Sequence, residues 1–223
     1  MRKTALFLIY FILIFQQMLF CQNVVKLPRP SYKGTLSLEE VIFKRKSYRQ
    51  YENRALSLEE LSQLLWSCAG SGVDGVTGAT RVFPSAGGIY PVDIYIAAGE
   101  VKTLMPGLYK YDYKDHLITL VGKEDVRKDL IAACYNQSWM GQAPVSFIFV
   151  GDPTKVSRRY SVRGESLYLP LDIGTSCQNL HLQAESLGLG TVMVGAFSDG
   201  EVKRILGLNK QRPFCVMPVG RPK

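Results

Sequence analysis

The segment IGTSCQNLHLQAESLGLGTVMVGA, residues 173–196, changes its apolar period partway along. Ile173, Cys177, Leu180, Ala184 and Leu187 follow one another at spacings of 4, 3, 4 and 3, which puts them on one stripe of an α-helix. Pro170 stands where such a helix would start, and Gly188 supplies the left-handed residue that ends it. From Thr191 to Ala196 the residues are apolar or small, rich in β-branched ones and without a helical period, which predicts a buried strand. A long helix that turns at once into a strand points to one core shared by helices and a sheet.

The flanks extend the same alternation. C-terminally, Ser198-Asp-Gly-Glu201 reads as a capping box that opens a helix ending at Gly207, and Phe214 to Val219 reads as a last strand. N-terminally, Val145–Val150 and Val92–Ala98 are strands, and Gly107–Tyr113 with His116–Val121 form a hairpin around Lys114-Asp115. Glu124–Tyr135 carries Val126, Leu130, Ile131 and Cys134 on one helical face. Two further capping boxes, Ser37-Leu-Glu-Glu40 and Ser57-Leu-Glu-Glu60, open short amphipathic helices, the second stopping at Gly70 before a glycine-rich loop, Ser71–Thr80. The sum is an α+β chain with a central, mainly antiparallel sheet flanked by helices.

Composition narrows the function. The 223 residues are 47% hydrophobic and 21% charged, an ordinary globular balance. Only two histidines are present, His116 and His181, so no metal site is predicted. The net charge is +8, yet the basic residues are dispersed, with Lys44-Arg45-Lys46 the only run of three and Arg158-Arg159 among the pairs, and no nucleic-acid motif accompanies them. No nucleic-acid partner is expected.

Met1-Arg2-Lys3, an apolar stretch from Ala5 to Phe15, then Gln16-Gln17 and Met18-Leu19-Phe20-Cys21-Gln22 have the order of a secretory signal. Residues 1–21 are therefore expected to be a signal peptide, with a retained anchor or a lipidated Cys21 as alternatives. The mature chain would be exported, periplasmic or extracytoplasmic, and membrane-anchored only if the segment is retained or lipidated. Loss of Arg2 and Lys3 lowers the charge from +8 to +6. Residues 22–36 are an N-terminal extension and residues 37–223 the folded domain. Cys68, Cys134, Cys177 and Cys215 are widely spaced with no CxxC pair, and no disulfide is predicted.

Two glycine motifs fail on context. Gly70-Ser-Gly72-Val-Asp-Gly75 matches GxGxxG but follows a helix, and Gly188-Leu-Gly190 leads into a strand, whereas dinucleotide binding needs a strand before and a helix after. No GxSxG elbow is present, and two histidines leave little material for a nucleophilic triad. Three other pieces carry chemistry. Arg45-Lys-Ser47-Tyr-Arg49 places two guanidiniums and a hydroxyl at alternate positions, where they could converge on a phosphate or simply face water. Pro84-Ser85-Ala86-Gly87-Gly88-Ile89-Tyr90-Pro91 puts small residues just before a strand, where backbone could approach a flat ligand. Gly195-Ala196 offers the same close approach at a strand end.

In this order, and together with Pro106-Gly-Leu-Tyr-Lys-Tyr111, Leu171-Asp-Ile-Gly174, Gln178-Asn179-Leu180 and Pro218-Val-Gly220, these blocks resemble the nitroreductase superfamily of flavoproteins, and within it the SagB/ThcOx-type oxidoreductases. The resemblance implies the nitroreductase fold, FMN as cofactor, NAD(P)H as the usual electron donor, and a homodimer with the flavin at the subunit interface. Carried over by matching position, Arg45, Ser47, Arg49 and Arg221 would hold the phosphate. Pro84, Ser85, Ala86 and Gly87 would line one side of the isoalloxazine, and Val194, Gly195 and Ala196 would present backbone to its N5 edge. The implied cycle is ping-pong, with hydride passing from NAD(P)H or an organic substrate through flavin N5 to a small-molecule acceptor and with no protein nucleophile required.

One departure bears on substrate. Azoline-oxidising members carry a Lys-Tyr pair where this chain has Arg159-Tyr160, and an arginine does not deprotonate near neutral pH. Tyr160 is the remaining candidate for a catalytic side chain. An azoline-type dehydrogenase and a non-catalytic flavin-binding protein on the same scaffold are the alternatives.

Overall fold

The computed structural model describes residues 23–72 and 81–223, so the expected signal peptide and most of the glycine-rich loop lie outside the described residues. Seven strands form one sheet: β1 Val24–Lys26, β2 Val92–Ala98, β3 Gly107–Asp112, β4 Leu117–Gly122, β5 Val145–Gly151, β6 Gly190–Thr191 and β7 Arg212–Gly220. Their order is β1-β4-β3-β2-β5-β7-β6, and every neighbouring pair runs antiparallel.

Helices cover both faces, which is why the central strands read as continuous apolar runs. In β5, Phe147 and Phe149 point to one core and Ile148 and Val150 to the other. The first core is closed by α2 (Leu58–Ala69) and α5 (Leu169–Ser186), through Leu61, Leu64, Leu65 and Cys68 on the one and Ile173, Cys177, Leu180 and Ala184 on the other. The apolar stripe of residues 173–187 is thus spent inside the chain's own core. The second core is closed by α3 (Arg127–Ala133) and α6 (Asp199–Leu206), through Leu130, Ala133, Val202 and Leu206. The first helix, α1 (Leu38–Lys44), differs: it buries only Val41 and leaves Leu38, Ile42 and Phe43 exposed, Phe43 at 90%.

Both N-terminal capping boxes close in each direction. Glu40 and Glu60 donate their backbone N–H to Ser37 and Ser57 Oγ, and their carboxylates accept from the serine N–H groups. At α6 only half forms. Ser198 Oγ accepts from Glu201 N at 3.5 Å, but the Glu201 carboxylate turns to Arg204, 2.9 Å away. A neighbouring guanidinium one turn on outcompetes the cap.

Two elements depart from the sequence reading. The predicted strand over Thr191–Ala196 shrinks to β6 plus one bridge between Val194 and Val216, in unbroken register with β7, while Met193, Gly195 and Ala196 stay exposed. This is the sheet edge, where β7 pairs on one side and only Thr191 finds a backbone partner, Ser47–Tyr48, on the other. The segment after β5 is a helix, α4 (Pro153–Arg163), which runs through a π-helical turn, Gly164–Tyr168, into α5. It begins as helices do, with Asp152 accepting from Thr154 N–H and Pro153 in the first turn. Its mainly polar sequence, with only Pro153 and Val156 buried, lacks the apolar stripe that marks a helix. The N-terminal extension contributes β1, paired with β4.

Cys68, Cys134, Cys177 and Cys215 are all buried and free, and Cys68, Cys177 and Cys215 belong to the same core.

Candidate functional site

Among the candidate residues, the first group gathers on the β6–β7 edge. Ser47 bridges Thr191, Tyr48 donates its N–H to the Thr191 carbonyl at 3.1 Å, Tyr51 bridges Pro222, and Glu52 donates to the Arg221 carbonyl at 2.8 Å. Residues 45–52 are thereby laced to both the strand end and the C-terminal Arg221. Tyr51 anchors this ribbon: its ring is buried and its hydroxyl donates to the Tyr48 carbonyl at 2.7 Å. Gly190 lets the ribbon approach, since a Cβ there would stand 2.6 Å from the Tyr48 ring and 2.8 Å from Pro222.

Among the described residues, the charges gathered here have no carboxylate partner. The ion pairs of the described residues involve neither Arg45, Arg49 nor Arg221, and Arg221 Nε is buried without a hydrogen-bond partner. Arg49 lies over the Trp139 ring at 5.9 Å. Beside them Val194 exchanges both backbone bonds with Val216, at 2.9 and 3.0 Å, and the chain then turns outward. Gly195 and Ala196 have no hydrogen bond on their N–H groups among the described residues, and a Cβ on Gly195 would meet nothing within 4 Å. Packing does not demand glycine at 195; an open approach to its backbone is what glycine provides there.

The second group is the 84–88 turn. Ala86–Gly88 forms one 3₁₀ turn with Gly87 and Gly88 left-handed, at φ 63° and 67°. Asp172, only 4% exposed in the first turn of α5, holds it from beneath: the carboxylate accepts from Ser85 Oγ at 2.5 Å and from Ala86 N–H at 3.2 Å. Ser85 Oγ in turn accepts from Tyr90 N–H at 2.8 Å, so one carboxylate ties both ends of the turn. Burial raises the Asp172 carboxyl above its ordinary range, and its two donors oppose that rise. On the other side, Arg159 Nη1 donates to the Gly87 carbonyl at 3.2 Å, and Tyr160 stands against the same glycine. Sequence reasoning singled out Ser85 and Tyr160 but gave Asp172 no role of its own.

The two groups do not meet within one chain. Asp172 lies at the start of α5, whereas the arginine ribbon lies toward its end, where Tyr48 OH contacts Glu185 at 3.2 Å and Arg45 depresses the pKa of His181. Nine to thirteen residues at 1.5 Å rise separate them by roughly 14–20 Å. His181 is buried, and desolvation with the nearby Arg45 charge lowers its pKa to about 4. A cavity of about 660 Å³ opens elsewhere, between α1, α2 and α5, walled by Tyr32, Gln63, Trp66 and Gln183, and includes none of the candidate residues.

Known proteins resemble this chain in sequence and fold. A protein of Methanocaldococcus jannaschii that carries the nitroreductase name is 40% identical over 186 residues, covering 83% of this chain and 91% of its own. A crystal structure from Ralstonia eutropha, likewise described as of a nitroreductase, superposes with a TM-score of 0.78 at 28% identity over 90% of each chain. A chain of the Escherichia coli microcin synthetase complex shares the fold alone, with a TM-score of 0.70 at 19% identity over 89% of this chain and 78% of that one. The nitroreductase family profile matches residues 42–221, a span that takes in the arginine ribbon, the 84–88 turn, Asp172 and the Val194–Ala196 edge. This chain belongs to the nitroreductase family of oxidoreductases.

Proposed function

We propose that the protein is an FMN-dependent oxidoreductase of the SagB type, working as a homodimer, exported, and passing hydride from NAD(P)H or an organic substrate to a small-molecule acceptor by a ping-pong cycle. The observation that carries the cofactor is the set Arg45, Ser47, Arg49 and Arg221, three cations without carboxylate partners among the described residues, one of them with a buried Nε that none of those residues accepts from. Buried donors without acceptors are unfavourable, and a phosphate dianion would satisfy them. The residues present therefore fit the group.

Bound FMN would supply the hydride chemistry through its N5. The chain's own part is to fix the phosphate with Arg45, Ser47, Arg49 and Arg221, to offer the free N–H groups of Gly195 and Ala196 to the ring edge, and to present the Asp172-braced turn as a wall. A second copy would bring its turn to the first copy's arginine ribbon, which answers the separation of the two groups along α5. The exposed Leu38, Ile42 and Phe43 of α1 favour such self-association.

The test is direct. Purified protein given FMN should turn yellow, lose its visible flavin absorption under NADH, NADPH or dithionite, and oxidise NAD(P)H steadily with a quinone or nitroaromatic acceptor. Arg221→Gln should weaken FMN uptake. Protein that takes up no FMN would overturn the proposal, and FMN-loaded protein without turnover would make it a binding protein only.

A further inference from the structure

Arg159 and Tyr160 converge on one point of the 84–88 turn. Tyr160 OH and Arg159 Nη1 stand 2.5 and 2.8 Å from where a Cβ on Gly87 would be, so the tips of both side chains rest on the bare face of a residue whose φ of 63° favours glycine. Two further departures from regular backbone set the pair in place. Ser161, the next residue, breaks α4 with φ 49° and ψ −143°, and the five residues Gly164–Tyr168 form a π-helical turn. Strained residues and π-turns recur where structure serves a ligand.

The side chains form a fixed ladder. Arg159 lies over the Tyr160 ring at 5.4 Å, Tyr160 meets Tyr168 edge to face at 4.8 Å, and Arg163 lies over Tyr168 at 5.7 Å while its Nε donates to that hydroxyl at 3.3 Å. Neither arginine is in an ion pair of the described residues. Arg159 uses Nη1 on the Gly87 carbonyl, which leaves its Nε and Nη2, one complete bidentate edge, for a ligand. Arg159 and Arg163 are exposed, and what sets this stretch apart from an ordinary basic helix face is the contact with the left-handed Gly87 and the backbone break at Ser161.

We propose that Arg159 and Tyr160 form a substrate-recognition site for an anionic oxygen pair, so that the enzyme's organic substrate bears a carboxylate or phosphate. This rests on the flavin reading, since the site gains its meaning from the turn that would wall the ring. A guanidinium edge and a phenol hydroxyl match two oxygens of one group, and their position beside the turn lets the anion orient the molecule without taking part in the transfer.

The experiment uses the full mature chain loaded with FMN and follows the visible flavin band during titration with benzoate, phenyl phosphate and neutral benzyl alcohol. At least one anion should bind tenfold or more tightly than benzyl alcohol, and the tighter of the two identifies the substrate's anionic group. Arg159→Gln should remove most of that preference, Arg159→Lys part of it, and Arg158→Gln, one residue away and exposed, none. Should Arg159→Gln fail to fold, Tyr160→Phe keeps the ring and should still lose severalfold in anion affinity. FMN-loaded wild type that binds benzyl alcohol as tightly as both anions, or an Arg159→Gln protein that keeps the preference, would overturn the inference. Failure of wild type to load FMN would instead overturn the flavin reading.

Discussion

At the scale of single residues, Asp172 does the most with least exposure. Its carboxylate accepts two bonds from a turn 86 and 87 residues earlier in the chain. Charged acceptors contribute about 1.5–3 kcal/mol per bond. Asp172→Asn keeps the volume but can accept fully from only one of the two donors, so the turn should loosen and FMN affinity should fall about tenfold, or roughly 1.4 kcal/mol. A flavin fluorescence titration measures it; unchanged affinity would detach Asp172 from the cofactor. The same residues show what sequence could and could not tell. Arg45, Ser47 and Arg49 were legible as a motif because their spacing is local, and the segment that carries them is laced by backbone to Thr191, Arg221 and Pro222. Asp172 and Arg159 were not, because their partners lie far off in sequence and no local period encodes the pairing.

At the scale of elements, helix ends carry the information. Ser37 and Ser57 announce α1 and α2 through side chains that satisfy specific N–H groups, and both boxes form. The other end of α2 is closed from a distance. Arg81, 6% exposed, donates through Nε and Nη2 to the Ala69 carbonyl and through Nη1 to the Val92 carbonyl, tying the helix to β2. Its charge also suits the negative end of the helix dipole. Arg81→Met fills much of the space but leaves both carbonyls unsatisfied, and the loss should be roughly 3 kcal/mol. A shift of the denaturant midpoint at unchanged slope would report it; a variant as stable as wild type would place those carbonyls in contact with water. The element that sequence missed, α4, is missed for a physical reason: it is a polar helix held by its cap and by its junction with α5, with no apolar stripe to reveal it. The strand misjudged at 191–196 has strand composition but an edge position, and edge position is set by which strands pair, not by its own residues.

At the scale of the whole molecule, the two histidines make stability depend on pH. His181 has a folded pKa of about 4 against an ordinary value near 6.5, so between those values the unfolded chain binds the extra proton. Its contribution is complete above pH ~6.5 and is lost progressively as pH falls toward ~4, by roughly 3 kcal/mol in all. Burial lowers His116 as well, in the same direction. Denaturant midpoints taken across this range should fall with acidification, and His181→Gln should flatten much of the slope; an equal slope in the variant would assign the effect to other groups. The fold class was legible because helix period, strand composition and cap residues agreed along the chain. How the site's two groups divide along α5 was not, since that separation exists only once the helix is laid across the sheet.

The buried thiols give this molecule a built-in reporter of its own opening. Burial pushes Cys68 up to about 12 and Cys134 to about 11, and raises Cys177 well above the ordinary thiol, so at neutral pH almost none of them is thiolate and none is reachable. An alkylating reagent should leave them untouched in native protein and modify them together once the core opens, at rates that rise in parallel with denaturant. Early modification of Cys134 alone would show that the α3–α6 face opens before the α2–α5 face, because Cys134 belongs to the former core and Cys68, Cys177 and Cys215 to the latter. The division of the sheet into two cores thereby becomes measurable as a sequence of events in time, with no label introduced.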